Sequence, residues 1–262
     1  MSIEKKDKLL MDTAMLAGEI MLSSGAETCR VEDTMNHILR TSNHQSIEAF
    51  TLMTGIVATM NDETMEQPLT LAKTIKSRTT NLSNIIQVNE ISRSYCSGRM
   101  SLEDAYQRLK GVRKNIYSRT AYNIATAIVV IGFAIMFGGT LTDILAAVGV
   151  GILLALCMYT GKKIRMNPIF MDIFCSMMIS ISAIAMQTYL LPTMNRDIVI
   201  VSAIMPMVPG VAITNAIRDT LHGDYLSGCA RILEAFLRAA SVAIGVAVGM
   251  ALFHMTLGGV AP

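Results

Sequence analysis

The hydrophobic pattern divides the chain into a front part with short amphipathic stretches and a rear part with long apolar runs. A helix needs roughly 20 mostly apolar residues to cross the hydrocarbon core of a bilayer. Five runs in the rear part approach that length, at about 120–137, 143–161, 168–190, 198–217 and 239–259. The pattern therefore predicts an α-helical membrane protein in which residues 119–262 form a five-helix transmembrane domain.

The front part, residues 1–118, has the periodicities of a small α+β domain. Apolar residues recur at helical spacing in four stretches, at 9–21, 28–40, 81–95 and 101–116. Between them, Thr- and Val-rich stretches at 47–60 and 69–75 predict a strand pair. The first stretch keeps Asp12 and Glu19 off its apolar stripe, so it predicts a helix packed on a domain core and not a signal peptide.

Charge supports this division and adds an orientation. Only 16% of the residues are charged, against about 25% in ordinary soluble domains, and 28 of the 42 charges lie in residues 1–118. Basic residues follow the second and fourth runs and precede the first. Cytoplasmic loops are enriched in Lys and Arg. The chain is therefore expected to have its N-terminus in the cytoplasm and its C-terminus outside.

Several functional classes are disfavoured by composition and motif. A net charge of +2 without a basic stripe disfavours nucleic-acid binding, and five scattered cysteines do not form a disulfide framework. No P-loop, GxSxG, CxxC or HExxH motif occurs, so no enzyme, cofactor or metal site is predicted. Asp33 and His37, four residues apart, are half of a metal site or, more simply, a surface pair.

The fourth run is interrupted near its centre by Pro206, Pro209 and Gly210. Proline removes a backbone donor and clashes with the preceding turn, so this triplet predicts a broken helix. Transporters use such breaks to present the positive N-terminal end of a half-helix to an anionic group. Thr214 and Asn215 lie one turn further on. A simple packing kink is the alternative.

The third run carries a polar or small face. Asp172, Ser176, Ser180, Ala183 and Gln187 follow one another at steps of three or four and share one side of a helix. Such a stripe lines either a helix contact or an aqueous substrate path. If transport is coupled to protons, Asp172 is the candidate acid.

Three further features concern helix ends and contacts. Asp143 is interpreted as a helix cap. Ser241, Gly245 and Gly249 form a small-xxx-small pattern that predicts close helix packing, within the chain or between subunits. Between the fourth and fifth runs, a segment of mixed charge is either a salt-bridged gate or a solvated loop. Its candidate gate residues are Arg218, Asp219 and Asp224.

The stretch 206–219, followed by Gly223-Asp224 and Gly228, resembles the signature of the threonine/serine exporter family. Four shorter stretches resemble the N-terminal domain of that family, at 18–28, 30–33, 81–82 and 88–92. Full-length members join a soluble domain to ten spanning segments. With five predicted spans, this chain is similar to the larger subunit of split systems, such as a bacterial succinate exporter pair.

The resemblance implies a subunit of a gradient-driven exporter in the bacterial cytoplasmic membrane. Its substrates would be small carboxylate-bearing metabolites, either threonine and serine or a dicarboxylate such as succinate. Its partner in a hetero-oligomer would be a small companion membrane protein of the same family, and both would contact membrane lipid. The alternative is a membrane-anchored regulatory or scaffold protein whose cytoplasmic domain senses a ligand. A membrane-bound hydrolase is disfavoured by the missing nucleophile motifs.

Overall fold

The structure is a computed structural model that describes residues 3–63, 65–112 and 119–256. The boundary predicted at 118 and the last residues of the fifth apolar run lie outside this range. The described helices are α1 Ile3–Ser23, α2 Thr28–Leu39, α3 Leu82–Cys96, α4 Leu102–Val112, α5 Arg119–Met136, α6 Leu141–Lys163, α7 Pro168–Tyr189, α8 Arg196–Ile204, α9 Gly210–Leu221 and α10 Tyr225–Thr256. The described strands are β1 Ser46–Leu52, β2 Gly55–Asn61 and β3 Leu69–Thr74.

The backbone forms two compact units. The first joins the chain up to residue 112 with 210–233, and the second joins 119–209 with 234–256. This division differs from a contiguous split near 118, because α9 and the first turns of α10 belong to the first unit.

The first unit is an α+β domain with a three-stranded antiparallel sheet, ordered β1-β2-β3. The prediction of a strand pair was wrong in one respect. The stretch 47–60 holds two strands, joined by a two-residue turn at Met53-Thr54, with Leu52 paired to Gly55. Two-residue turns are the commonest hairpin connections, and Gly55, which interrupts the Thr- and Val-rich pattern, directly follows this one.

The core of the first unit lies where α1 meets α2, α3, α4 and the sheet. Alternate residues of β2 are buried, which gives the sheet one apolar face. Helix α1 contributes the apolar side predicted from its spacing. The largest fully buried side chains of this core include Met11, Ile20, Met35, Ile38 and Met60.

The second unit is helical. Its core is made of small and branched residues, among them Val130, Ala147, Leu154 and Ile179. Helices α5 and α6 approach closely at Gly151, where an added Cβ would lie 3.3 Å from the Cα of Ala127. This contact is tight because neither residue has a bulky side chain.

Asp143 caps α6, as interpreted from the sequence. Its Oδ2 accepts hydrogen bonds from the backbone nitrogen and the hydroxyl of Thr140, at 2.7 and 2.8 Å. Its Oδ1 accepts from the backbone nitrogen of Asn195 at 2.6 Å. The buried carboxylate therefore joins the loop before α6 to the loop before α8.

Three helices of the described part, α6, α7 and α10, are long and apolar enough to cross a membrane, and the broken pair α8 and α9 raises the number to four. Helix α5 is also apolar, but its apolar part, Ala121–Met136, is shorter than these candidate spans. The chain is thus a multi-pass membrane protein, and five crossings remain a prediction. Helix α10 begins at Tyr225 instead of near 239, because its first turns carry charges that the apolar pattern leaves out.

Candidate functional site

The first unit contains a buried polar cluster built on the turn between α1 and α2. This turn is possible because Gly25 adopts a φ of 85°, in the left-handed region that favours glycine. The carbonyl of Gly25 accepts a hydrogen bond from Asn215 Nδ2 at 2.7 Å. The carbonyl of Ala26 accepts one from Arg231 Nη2 at 2.6 Å. The turn is therefore held by side chains that follow their partners by 190 and 205 positions in the chain.

Asp219 lies at the centre of this cluster. Its side chain is fully buried, and its Oδ1 accepts hydrogen bonds from the backbone nitrogen and the hydroxyl of Thr28, at 3.1 and 3.0 Å. Its Oδ2 lies 2.8 Å from Arg231 Nε. We call the group Gly25, Ala26, Thr28, Asn215, Asp219 and Arg231 the Asp219 cluster.

The Asp219 carboxylate also supplies a helix cap. The N-cap residue of α2, Glu27, makes no capping hydrogen bond with its side chain. The carboxylate of Asp219 accepts from the first backbone nitrogen of α2 instead, where the positive end of the helix dipole favours an anion. Helices α2 and α9 are therefore coupled through one buried charge.

The other two candidate gate residues have different surroundings. Arg218 is about half-exposed and forms an ion pair with Glu27 beside the cluster. Asp224 accepts a hydrogen bond from the backbone nitrogen of Ser227 at 3.1 Å, in the first turn of α10. Of the three residues, Asp219 alone is placed in the buried cluster, while Arg218 flanks it and Asp224 caps a helix.

These surroundings raise the pKa of two groups on α2, the carboxyl of Glu32 and the thiol of Cys29. Burial raises the pKa of Glu32, and the carboxylates of Asp224, Asp33 and Asp219 raise it further. A hydrogen bond from the backbone nitrogen of Thr51, at 2.7 Å, acts in the opposite direction. Burial, followed by Glu27 and Asp219, likewise raises the pKa of the Cys29 thiol.

The break in the fourth apolar run lies where the prolines predict it. Pro206 is in a short 3-10 turn at Met205–Met207, Val208 is extended, and α9 starts at Gly210. A Cβ added at Gly210 would have no heavy atom within 4 Å, so the start of α9 is open. Thr214 is exposed and donates to the Gly210 carbonyl at 3.0 Å, whereas Asn215 points into the Asp219 cluster.

The first three polar residues of this face of α7, Asp172, Ser176 and Ser180, lie against α10. Asp172 is buried and pairs with Arg238, with 2.9 Å between Oδ2 and Nε and 3.3 Å between Oδ1 and Nη2. The hydroxyls of Ser176 and Ser180 bond to carbonyls of their own helix. Gln187, at the other end of the face, donates to the carbonyl of Met194 at 2.9 Å.

Gly245 and Gly249 lie directly against this face. A Cβ added at either position would overlap the hydroxyl oxygen of Ser176 or Ser180, respectively. Ser241, one turn earlier on α10, is also buried and donates to its own helix at the carbonyl of Leu237. The serines spaced four residues apart on α7 therefore pack against the glycines spaced four residues apart on α10.

Sequence reasoning missed the two arginines that complete these sites. In the sequence, Arg231 and Arg238 are interpreted as loop charges that follow the fourth apolar run. Nothing in their spacing connects them to Asp219 or Asp172. The sequence predicts Thr28 or a neighbour as the cap of α2, but no local pattern connects Thr28 to Asp219. In the described part of the chain, no group of three His, Cys, Asp or Glu side chains is placed to hold a metal ion.

Comparisons with known proteins identify the family of this chain. A family model described as "Putative threonine/serine exporter" matches residues 12–253. The chain is 23% identical over 247 residues to a protein of Mycobacterium tuberculosis (strain ATCC 25618 / H37Rv) named "Probable threonine/serine exporter". That alignment covers 92% of this chain and 46% of the relative, so the chain spans about half the length of the curated relative it matches. No solved structure matches the chain. The chain belongs to the threonine/serine exporter family.

Proposed function

We propose that this chain is one subunit of a secondary exporter for small carboxylate-bearing metabolites in the bacterial cytoplasmic membrane. The observation that carries the proposal is the broken apolar helix pair α8 and α9, found in a chain of an exporter family. Helix breaks at bilayer depth are tolerated where they line a cavity or are covered by protein, and transporters place substrates there. Threonine and serine or a dicarboxylate such as succinate are the proposed substrates.

A second, smaller membrane protein of the same family is the proposed partner. The alignment with this chain covers 46% of the relative, and substrate sites of transporters built from two repeats lie at the interface between the repeats. Large apolar side chains are exposed along α5 and α10, among them Ile128, Ile135, Phe236 and Ile244. These surfaces suit lipid or the helices of the companion.

The proposed topology has five crossings, with α8 and α9 forming one broken span. Helix α5 has 18 residues, and at about 1.5 Å per residue it measures about 27 Å, close to the thickness of the hydrocarbon core. Lys162, at the end of α6, lies 4.0 Å from the ring centroid of Tyr122 near the start of α5. Since cytoplasmic ends carry the basic residues, this end of both helices is assigned to the cytoplasm, and the C-terminus is assigned to the outside.

The start of α9 is the proposed contact for the substrate carboxylate. The first nitrogens of a helix lack intrahelical partners and carry partial positive charge. Gly210 leaves this end open. Because α9 also carries Asn215 and Asp219, a shift of its start is transmitted along the helix to the Asp219 cluster. Arg218 and Asp219 are proposed to act in an inner gate through this connection.

Export from vesicles tests the proposal. Inside-out vesicles that contain this chain and its companion should accumulate radiolabelled threonine, serine or succinate, and a protonophore should abolish the accumulation. Gly210→Leu should reduce it by about tenfold, because the side chain covers the helix start at a cost of roughly 1.4 kcal/mol in binding. Gly111→Leu is the matched control, since an added Cβ there also meets no heavy atom within 4 Å.

Two outcomes contradict the proposal. Unchanged export in Gly210→Leu removes the helix start from the substrate contact. The absence of export with every combination of chains and labelled solutes favours a membrane-anchored regulatory or scaffold protein.

A further inference from the structure

We propose that the first unit has a separate binding site for a small organic or inorganic anion, in the cleft between α2 and α3. The cleft has a volume of about 420 Å³, within the range of sites for small molecules. It is formed by the described residues of one compact unit and contains no residue of the Asp219 cluster. The proposal goes beyond the export function and does not depend on it.

Charge identifies the class of ligand. Arg30, Arg40 and Arg93 line the cleft, and Asp33 is the carboxylate among its lining residues. All four side chains belong to exposed residues. A guanidinium remains charged at any pH at which a protein is folded, so the lining carries an excess of positive charge.

These arginines are not occupied by the rest of the described chain. The ion pairs of the first unit that the structure describes involve Lys73 with Glu19, Arg218 with Glu27, Arg231 with Asp219, and His44 with Asp7 and Asp62. None of the three cleft arginines takes part in them. Guanidinium groups bind carboxylate and phosphate oxygens with paired, charge-assisted hydrogen bonds, which makes such anions the fitting ligands.

The buried polar groups among the lining residues add a preference for a ligand that also has a donor group. Ser92 and Thr34 are buried there, and the Thr34 hydroxyl already donates to the carbonyl of Arg30 at 2.9 Å. The Oδ1 atom of Asn36 is buried without a hydrogen-bond partner among the described residues. An unpaired buried oxygen is costly, and a hydroxyl on the ligand would satisfy it. A hydroxy acid therefore suits the cleft better than the same acid without the hydroxyl.

Equilibrium dialysis of the purified full chain in a neutral detergent tests the site without relying on transport. The probes are radiolabelled succinate, malate and inorganic phosphate, which separate carboxylate from phosphate as the preferred anion. At least one of them should bind saturably, malate should bind more tightly than succinate, and added sodium chloride should weaken binding. An Arg30→Gln/Arg93→Gln variant should lose about tenfold in affinity or more.

Arg108→Gln is the matched control, since Arg108 is exposed on α4 and lies outside the cleft. It should bind as the unaltered chain does. Thermal unfolding of both variants shows whether each is folded under the dialysis conditions. The proposal is overturned if no probe binds saturably, or if the double variant binds as tightly as Arg108→Gln. In the second case Arg30 and Arg93 take no part in binding, and a loss of stability without a loss of binding would show that they act only in folding.

Discussion

Asp219 and Arg231 form an ion pair inside the first unit, with 2.8 Å between Oδ2 and Nε and with side chains that are 0% and 5% exposed. Neither charge is satisfied by the other alone. Arg231 also donates to the carbonyl of Ala26, and Asp219 also accepts from Thr28. The pair thereby fixes the α1–α2 turn, the start of α2 and the body of α9 to one another.

Asp219→Asn is expected to destabilise the first unit strongly. Removing one partner of a buried ion pair leaves the other charge without compensation, which costs about 3–5 kcal/mol. Guanidinium chloride unfolding in detergent, followed by circular dichroism, measures the change in the free energy of unfolding.

Arg218→Gln is the control for that experiment. Arg218 is 55% exposed, and its ion pair with Glu27 should contribute at most about 1 kcal/mol. An Asp219→Asn/Arg231→Gln variant should recover part of the stability lost in Asp219→Asn, since no unpaired charge remains. Equal effects of Asp219→Asn and Arg218→Gln would show that burial does not determine the strength of this cluster.

Gly245→Ala and Gly249→Ala are expected to disrupt the contact between α7 and α10. At Gly249 the new Cβ would overlap the Ser180 hydroxyl and lie 2.6 Å from the carbonyl oxygen of Met177, a backbone atom that cannot rotate away. Overpacking of this kind costs about 1–3 kcal/mol. Thermal unfolding in detergent measures it.

Gly132→Ala in α5 serves as the control, because a Cβ at that position meets no heavy atom within 4 Å. It should be neutral or slightly stabilising, since alanine favours a helix over glycine by about 1 kcal/mol. If all three alanine variants unfold at the same temperature, the close contact at Gly245 and Gly249 is not a determinant of packing.

The sequence predicted the parts of this fold that depend on local pattern. Helix spacing in α1, α2 and α7, and the break at Pro206 and Pro209, follow from rules that act within a few residues. The division of charge along the chain also separated the front domain from the apolar runs. These features need no knowledge of which segments touch.

The sequence did not predict the contacts between residues that are far apart in the chain. Asp219 caps a helix whose first residue, Thr28, precedes it by 191 positions, and no periodicity indicates such a pair. The same holds for Asp172 and Arg238, which are 66 positions apart. The start of α10 was placed too late because Arg231 and Arg238 interrupt the apolar pattern while remaining helical.

Glu32 gives the stability of the first unit a defined dependence on pH. Burial and the nearby carboxylates raise its pKa above the ordinary value of 4.5. The stability associated with its protonated form is fully present below pH 4.5 and is lost as the pH rises through the higher pKa of the folded state. Glu32→Gln, which stays neutral, should therefore gain stability relative to the unaltered chain as the pH rises from about 4.5 towards neutrality.

The difference in free energy of unfolding between Glu32→Gln and the unaltered chain, measured at several pH values, checks this sign. Glu90→Gln is the matched control, because Glu90 lies exposed on α3. A difference for Glu32→Gln that stays constant, or that falls with rising pH, would contradict the raised pKa.

Asp172 is expected to act through its contact with Arg238 and not as a carrier of protons. Its carboxylate is paired at both oxygens, and Ser176 and Ser180 on the same face lie against Gly245 and Gly249 of α10. Asp172→Asn alone should weaken the protein, because the half-buried guanidinium of Arg238 then lacks its partner. An Asp172→Asn/Arg238→Gln variant removes both charges and should keep proton-driven export in the vesicle assay. The opposite result would be a folded double variant that still exports substrate by exchange but no longer depends on protons. That result would assign Asp172 to the coupling path, together with Ser176, Ser180 and Gln187.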